Sequence, residues 1–188
     1  EQRAEALFAR GRSWRHKKNE ENMMADFYMV ANDPRSPSAL RAWTLVNCAI
    51  YFDDEKQDYE KSKDFAEQAL AIPDLSVDNR VLAVTTREAD IVGMDGSIQH
   101  AEDETLRMLE LPGISATTKA ACYKMLAWLY CLRGNDRMNE AYWRKAADVE
   151  GAAPRLRLSS LNGIREFYGR NWTKEENAAH DRKIASLN

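Results

Sequence analysis

Apolar side chains recur along this chain as pairs of short helical stripes, each pair closed by a turn. Similar units start near five positions, Leu7, Trp43, Thr85, Tyr123 and Leu161. No stretch alternates apolar and polar residues over the ~6 positions that a half-buried strand needs. The pattern therefore predicts an all-α chain built from about five antiparallel helix pairs.

Turn and capping residues set the expected boundaries of these pairs. Pro73 and Pro112-Gly113 follow the second helices of two units, where helices usually stop. The expected N-caps are Ser38, Ser76 or Asp78, Ser115 and Thr173, the last in a capping box with Glu176. The turn after Tyr51 is longer than in the other units. The predicted pairs span 1–33, 38–73, 78–112, 115–150 and 154–188, within a single domain of residues 1–188.

The first helix of several units carries a small residue where the second helix carries a large one. Gly11 is matched with Phe27, and Ala127 with Trp143, so two helices can approach closely at these positions. In the fourth unit the pattern comprises Tyr123, Leu126, Ala127, Tyr130, Asn139, Trp143 and Ala146; in the first it comprises Leu7, Gly11, Trp14, Met23, Phe27 and Val30. These spacings resemble the tetratricopeptide repeat (TPR) consensus. The chain is therefore similar to TPR or TPR-like helical repeat proteins over its whole length.

This resemblance implies a right-handed superhelix of helix pairs whose first helices line a concave groove. Proteins of this family mostly hold a peptide or a segment of a partner protein in that groove. The Lys and Asn residues of the family's carboxylate clamp are missing here, because residues such as Phe8 and Arg12 stand at the corresponding positions. The resemblance thus implies peptide binding, but not binding of a chaperone tail by that clamp.

Counting helix faces from the packing residues gives candidate groove residues. They are Phe8, Arg12, Arg15, Arg41, Thr44, Tyr51, Arg87, Asp90, Lys124, Trp128, Asn162 and Glu166, with His16 and Cys48 beside them. Tyr51 and Trp128 would act as aromatic anchors, and arginines would bind carboxylates. For each residue taken singly, ordinary packing between helices or a solvated surface charge is the competing interpretation.

Composition narrows the class of protein. The net charge of −3 argues against bulk attraction to nucleic acid, although the basic segment from Arg3 to Lys18 keeps that alternative open. No apolar run reaches the ~18 residues of a membrane span, which predicts a soluble protein. Three cysteines without a CxxC pair indicate buried free thiols and a cytoplasmic setting. Because the chain begins inside a predicted helix, we expect a fragment or processed product of a longer protein.

Candidate chemistry is sparse. The sequence contains no GxSxG, P-loop, GxGxxG or HExxH motif, and His100 and His180 are isolated. We therefore expect no catalytic residues, no metal and no cofactor. The leading hypothesis is a protein-interaction scaffold that binds a partner peptide or protein segment. The alternative is a ligand- or peptide-sensing regulatory domain of a larger signalling or transcription-regulator protein, with a pocket around Cys48, Tyr51 and Trp128. A homo-oligomer through Trp143 and Trp172 is left open.

Overall fold

The structure is a computed structural model that describes residues 1–94 and 96–187, without the side chain of Asn171. Asn188, the last residue of the predicted fifth pair, lies outside the described residues. Within them are ten α-helices and no strand. The helices are α1 (Gln2–His16), α2 (Glu20–Asn32), α3 (Ser38–Tyr51), α4 (Tyr59–Leu70), α5 (Val77–Gly93), α6 (Ile98–Leu109), α7 (Ala116–Leu132), α8 (Asp136–Asp148), α9 (Pro154–Tyr168) and α10 (Lys174–Ala185). None of these helices is both long and apolar enough to cross a bilayer.

The chain divides into two compact units, Glu1–Ser97 and Ile98–Asn188. In the first unit each helix from α1 to α5 packs on the next; in the second, the same holds from α6 to α10. This packing confirms the predicted all-α class. Each predicted span holds two helices, but the third span, 78–112, is shared between the units because α5 ends the first and α6 begins the second. The single domain and the right-handed superhelix stay predictions.

The core of the first unit is built on the close crossing of α1 and α2. Phe27 is fully buried, and its ring stacks on that of Phe8 with centroids 5.7 Å apart. Gly11 faces the same ring, and a Cβ atom added to it would lie 2.4 Å from Cε1 of Phe27. The small residue recognised in the sequence therefore permits this helix crossing.

The second unit has its own core between α7, α8 and α9. Leu126, Leu129 and Leu161 are buried there. The fully enclosed Asn139 donates from Nδ2 to the carbonyl oxygen of Ala127 at 2.7 Å, which ties α8 to α7. A buried amide with this partner avoids the cost of an unpaired polar group.

Three of the predicted N-caps are confirmed and one is wrong. Ser76, Ser115 and Thr173 each accept a hydrogen bond from the backbone three residues ahead. Ser38 is instead the first residue of α3, because the amides of Leu40 and Arg41 bond to the carbonyl oxygen of Pro37.

The expectation of three buried thiols is also corrected. Cys48 and Cys122 are buried, but Cys131 is exposed. Cys131 lies in the last turn of α7. Cys131 was predicted to be buried because its neighbours in the sequence are apolar.

Replacing Thr173 by alanine is expected to loosen α10. Thr173 Oγ1 accepts from the Glu176 amide at 3.2 Å, and the Thr173 amide donates to Glu176 Oε2 at 2.7 Å. Losing the side-chain acceptor should destabilise the helix by about 1 kcal/mol. Amide hydrogen exchange in α10 would show this as faster exchange. The exposed Lys174→Ala should leave it unchanged; equal effects of the two changes would contradict the capping role.

Candidate partner-binding surfaces

In the first unit, α3 and α5 lie side by side in the same direction. Near their N-termini, Asn79 Nδ2 donates to the carbonyl oxygen of Ala39 at 3.0 Å. Further along, Ser62 of α4 contacts both the Ala49 carbonyl of α3 and the Asp90 carboxyl group of α5. These contacts fix the register, so that a residue of α3 lies beside the residue about 40 positions later in α5.

A partly exposed apolar stripe follows from this register. The residues that share it are Leu40, Trp43, Asn47 and Ile50 on α3, and Leu82, Thr86 and Ala89 on α5. We call this surface the α3–α5 face. Trp43, Ile50 and Leu82 pack against the buried core with one side and leave the other accessible. At 1.5 Å per residue, the stripe is about 15 Å long.

Several predicted groove residues of the first unit lie in the interior instead. Thr44 and Asp90 are fully buried, and Tyr51 is 6% exposed. The hydroxyl of Thr44 donates to the Leu40 carbonyl within its own helix. The face of α3 that was predicted to line the groove is wrong by about a third of a turn, because Trp43 was interpreted as a residue that packs between helices. The solvent side of α3 carries Trp43 in place of Thr44.

Of the four predicted arginines of this unit, three form side-chain hydrogen bonds to described residues and one does not. Arg15 Nε donates to Glu55 Oε1 at 2.7 Å, Arg41 Nε donates to the Ala31 carbonyl at 2.9 Å, and Arg87 donates to the buried Glu88. Arg12 is exposed and has no ion pair or side-chain hydrogen bond with any residue that the structure describes. Arg12 is therefore the predicted arginine whose charge is available to a partner.

Tyr51 belongs to a network that ties three segments together. Its hydroxyl donates to Glu20 Oε2 at 3.1 Å, and Lys56 Nζ lies 2.5 Å from the same oxygen. The Lys56 ammonium group lowers the pKa of Glu20, and burial raises the pKa of Tyr51. Arg15 lies 5.7 Å from the centroid of the Tyr51 ring. Tyr51 therefore stabilises the contact between these segments and is not available to a partner. The other predicted aromatic residue of this unit, Phe8, is partly buried by its stacking on Phe27.

The predicted residues of the second unit lie on an accessible surface. The Ala153 amide donates to Thr117 Oγ1 at 3.0 Å, and Lys124 Nζ donates to Ser159 Oγ at 3.0 Å, so α7 and α9 lie side by side. The accessible side chains are Lys124, Met125, Trp128 and Leu132 on α7, and Asn162 and Glu166 on α9. We call this surface the α7–α9 face. Leu132, 48% exposed, is not among the residues predicted from the sequence.

These surfaces suit recognition of apolar side chains more than they suit chemistry. Each has one tryptophan within an apolar stripe that is bordered by charged or amide side chains. Among the described residues, no group of three His, Cys, Asp or Glu side chains is arranged to hold a metal ion. The accessible chemistry is therefore hydrophobic contact with a few polar contacts at the border.

Within each unit, every described helix packs on the next one along the chain, which is an all-α arrangement of helix pairs. No protein-family model matches the chain, and no curated protein matches it. One similar solved structure is a TPR repeats protein from Bacteroides fragilis NCTC 9343, with 19% sequence identity and a TM-score of 0.39 over 98% of this chain and 84% of that chain. At that TM-score the likeness carries no argument about fold or function.

Proposed function

We propose that this TPR-like protein is an interaction scaffold that binds a segment of a partner protein along the α3–α5 face. The observation that supports this most directly is the partial exposure of Trp43, Ile50 and Leu82 on neighbouring first helices. Their inner sides are held by the core, so little side-chain entropy is lost when a partner covers them. Rigid aromatic residues of this kind are enriched among the residues that dominate binding energy.

The dimensions of the face indicate the kind of segment that fits. A stripe about 15 Å long matches about ten residues of helix, which would place two or three apolar side chains against it. Arg12 lies one helical turn before Arg15, which reaches the C-terminal end of α3. A carboxylate at one end of the partner segment would therefore find an unpaired guanidinium group. The proposed partner is an amphipathic helical segment with an acidic residue at one end.

The α7–α9 face supports the same proposal independently. Trp128 and Met125 are partly exposed there, and Leu132 more so. Glu166 and Lys124 border the stripe with charges of both signs. Recognition by this second surface would again depend on an aromatic residue held within an apolar strip.

Blocking the α3–α5 face is expected to abolish most partner binding. Thr86→Arg would place a long charged side chain in the middle of the stripe, and Arg12→Glu would repel an acidic end. We expect each change to weaken binding by about tenfold or more, which corresponds to ~1.4 kcal/mol. Helical peptides selected from a display library against the intact protein provide the ligands, and dissociation constants measured by fluorescence polarisation provide the readout.

A matched control separates this effect from a general change of charge. Arg80 is an exposed arginine of the same unit that lies on another side of α5, so Arg80→Glu should leave affinity unchanged. Arg15 and Arg87 are unsuitable because their reversal would break internal ion pairs. Selected peptides that bind Thr86→Arg and Arg12→Glu as tightly as the wild-type protein would refute the proposed site.

The alternative of a ligand-sensing regulatory domain stays a hypothesis. Cys48 and Tyr51, which were expected to line its pocket, are packed inside the core of the first unit. Burial raises the pKa of the Cys48 thiol to about 12. Neither side chain is therefore available to a ligand in this conformation.

A further inference from the structure

The first unit contains a buried carboxyl group that the proposed function does not use. Asp90 of α5 is fully buried, and its Oδ1 atom has no hydrogen-bond partner. Its Oδ2 atom lies 2.7 Å from Ser62 Oγ. An ionised carboxylate with one hydrogen bond and no countercharge would be costly in such a place.

The geometry around Ser62 indicates where a proton would lie. Ser62 Oγ is 2.9 Å from the Ala49 carbonyl oxygen and 2.7 Å from Asp90 Oδ2, but a serine hydroxyl carries a single proton. Both contacts are hydrogen bonds at the same time if Asp90 is neutral and donates from Oδ2 to Ser62 Oγ. The serine proton is then free to bond the Ala49 carbonyl. Protonated Asp90 thus links α5 to α4, and through Ser62 to α3.

The segment that follows α3 departs from regular α-helix. After Tyr51 the chain forms a π-helical turn, Phe52–Lys56, and then Gln57 with a positive φ of 54°. The turn carries Asp53, whose negative charge acts on Asp90. It also carries Glu55 and Lys56, which pair with side chains of α1 and α2 respectively. The turn packs on α3 and α4, the two helices that Ser62 joins to Asp90, and it also pairs with the first helix pair.

We propose that Asp90 is a buried proton switch that holds α5 on α4 and α3 while protonated and, when it ionises, loosens this junction together with the π-helical turn packed on α3 and α4. Ionisation removes the donor to Ser62 and places two carboxylates, Asp90 and Asp53, in repulsion. Ser62 then has one proton for two acceptors, so the link to Ala49 competes with the link to Asp90. Release of the turn loosens its ties to α1 and α2. Single-turn π-helices often occur at functional positions.

The groups that face Asp90 support a transition near neutral pH. Burial raises the pKa of Asp90 to about 7; Ser62 lowers it in part, and the charge of Asp53 raises it. Burial and Asp54 also raise the pKa of Asp53. On α5 itself, the nearest charged residues, Arg87 and Glu88, bond each other. From α4, Ser62 is the residue whose hydroxyl contacts the Asp90 carboxyl group.

Hydrogen exchange of the intact protein tests the switch. If opening exposes Asp90, the opening constant rises about tenfold per pH unit between its ordinary pKa of 3.8 and its native pKa of about 7, and levels off above. Hydroxide catalysis of amide exchange adds about another tenfold per unit. We expect amides of Phe52–Lys56 to exchange about 100-fold faster per unit below pH 7 and about tenfold faster per unit above it.

Three variants make the result decisive. In Asp90→Asn the amide donates permanently to Ser62, so the slope should be about tenfold per unit throughout. Asp53→Asn should move the change of slope to lower pH, because it removes the repulsive charge. Asp64→Asn, an exposed change on α4, should behave like the wild type. The same slopes in wild type and Asp90→Asn, or an NMR titration that places the Asp90 carboxyl group at its ordinary pKa, would overturn the proposal.

Discussion

Gly11→Ala is expected to destabilise the first unit by about 2 kcal/mol, although alanine is the better helix former. The new Cβ atom would lie 2.4 Å from Cε1 of Phe27, well inside contact distance. The Phe27 ring is fully enclosed and stacked on Phe8, so it has no space into which to move. The gain of about 1 kcal/mol in helix propensity offsets only part of this overpacking. Urea unfolding followed by circular dichroism measures the net change.

A second substitution identifies the cause. Phe27→Leu makes room for the alanine, so we expect the double variant to lose less stability than the sum of the two single changes, by about 1 kcal/mol. Ser13→Ala, at an exposed position of the same helix, should be neutral or slightly stabilising. Additive effects of Gly11→Ala and Phe27→Leu would show that the close crossing is not the reason for the loss.

Asp90→Asn is expected to stabilise the protein at pH 8 by about 4 kcal/mol and to change little at pH 4. The native pKa of about 7 lies above the ordinary value of 3.8, so the folded protein binds more protons than the unfolded chain between these values. In the wild-type protein, the contribution of protonated Asp90 to the free energy of unfolding is complete below pH 4. It falls as the pH rises towards 7 and is absent above that pH. The asparagine variant carries no titrating group there and should keep its stability.

Unfolding by urea at several pH values provides the measurement, with Asp64→Asn as the matched control. Both variants remove one carboxylate from the first unit, but Asp64 is exposed. A similar pH dependence for wild type and Asp90→Asn would contradict a neutral buried Asp90. It would not affect the interaction proposal, which rests on the α3–α5 face.

The helices and their ends were predictable because their signals are local. An N-cap requires an acceptor next to the first turn, and Ser76, Ser115 and Thr173 fulfil this without help from distant residues. The close helix crossing at Gly11 was predictable for a related reason. A small residue in the first helix and a large residue in the second recur at the same spacing in more than one unit. Ser38 failed as an N-cap because the preceding Pro37 offers its carbonyl one residue earlier.

The faces of the first helices were only partly predictable. In the second unit Trp128, Asn162 and Glu166 are accessible, and their role in binding stays a prediction. In the first unit the predicted exposed face of α3 differs from the observed one by about a third of a turn. Thr44 was predicted to be accessible, but Thr44 is buried and Trp43 is partly exposed. An α3 helix that packs on α1, α2, α4 and α5 is apolar on most of its circumference. Hydrophobic periodicity therefore does not indicate which side is left uncovered.

By itself, the sequence determined an all-α chain, the positions of its helices and the close crossing at Gly11, because each depends on residues within a few turns of one another or on a repeated spacing. Only the tertiary structure decided that Thr44, Tyr51 and Asp90 are interior and that Ser62 joins three helices. It also decided that, of the four predicted arginines, Arg12 is the one without an ion pair or side-chain hydrogen bond to a described residue. These properties depend on which helices meet. Burial and charge pairing are set by neighbours distant in sequence, and no local pattern encodes them.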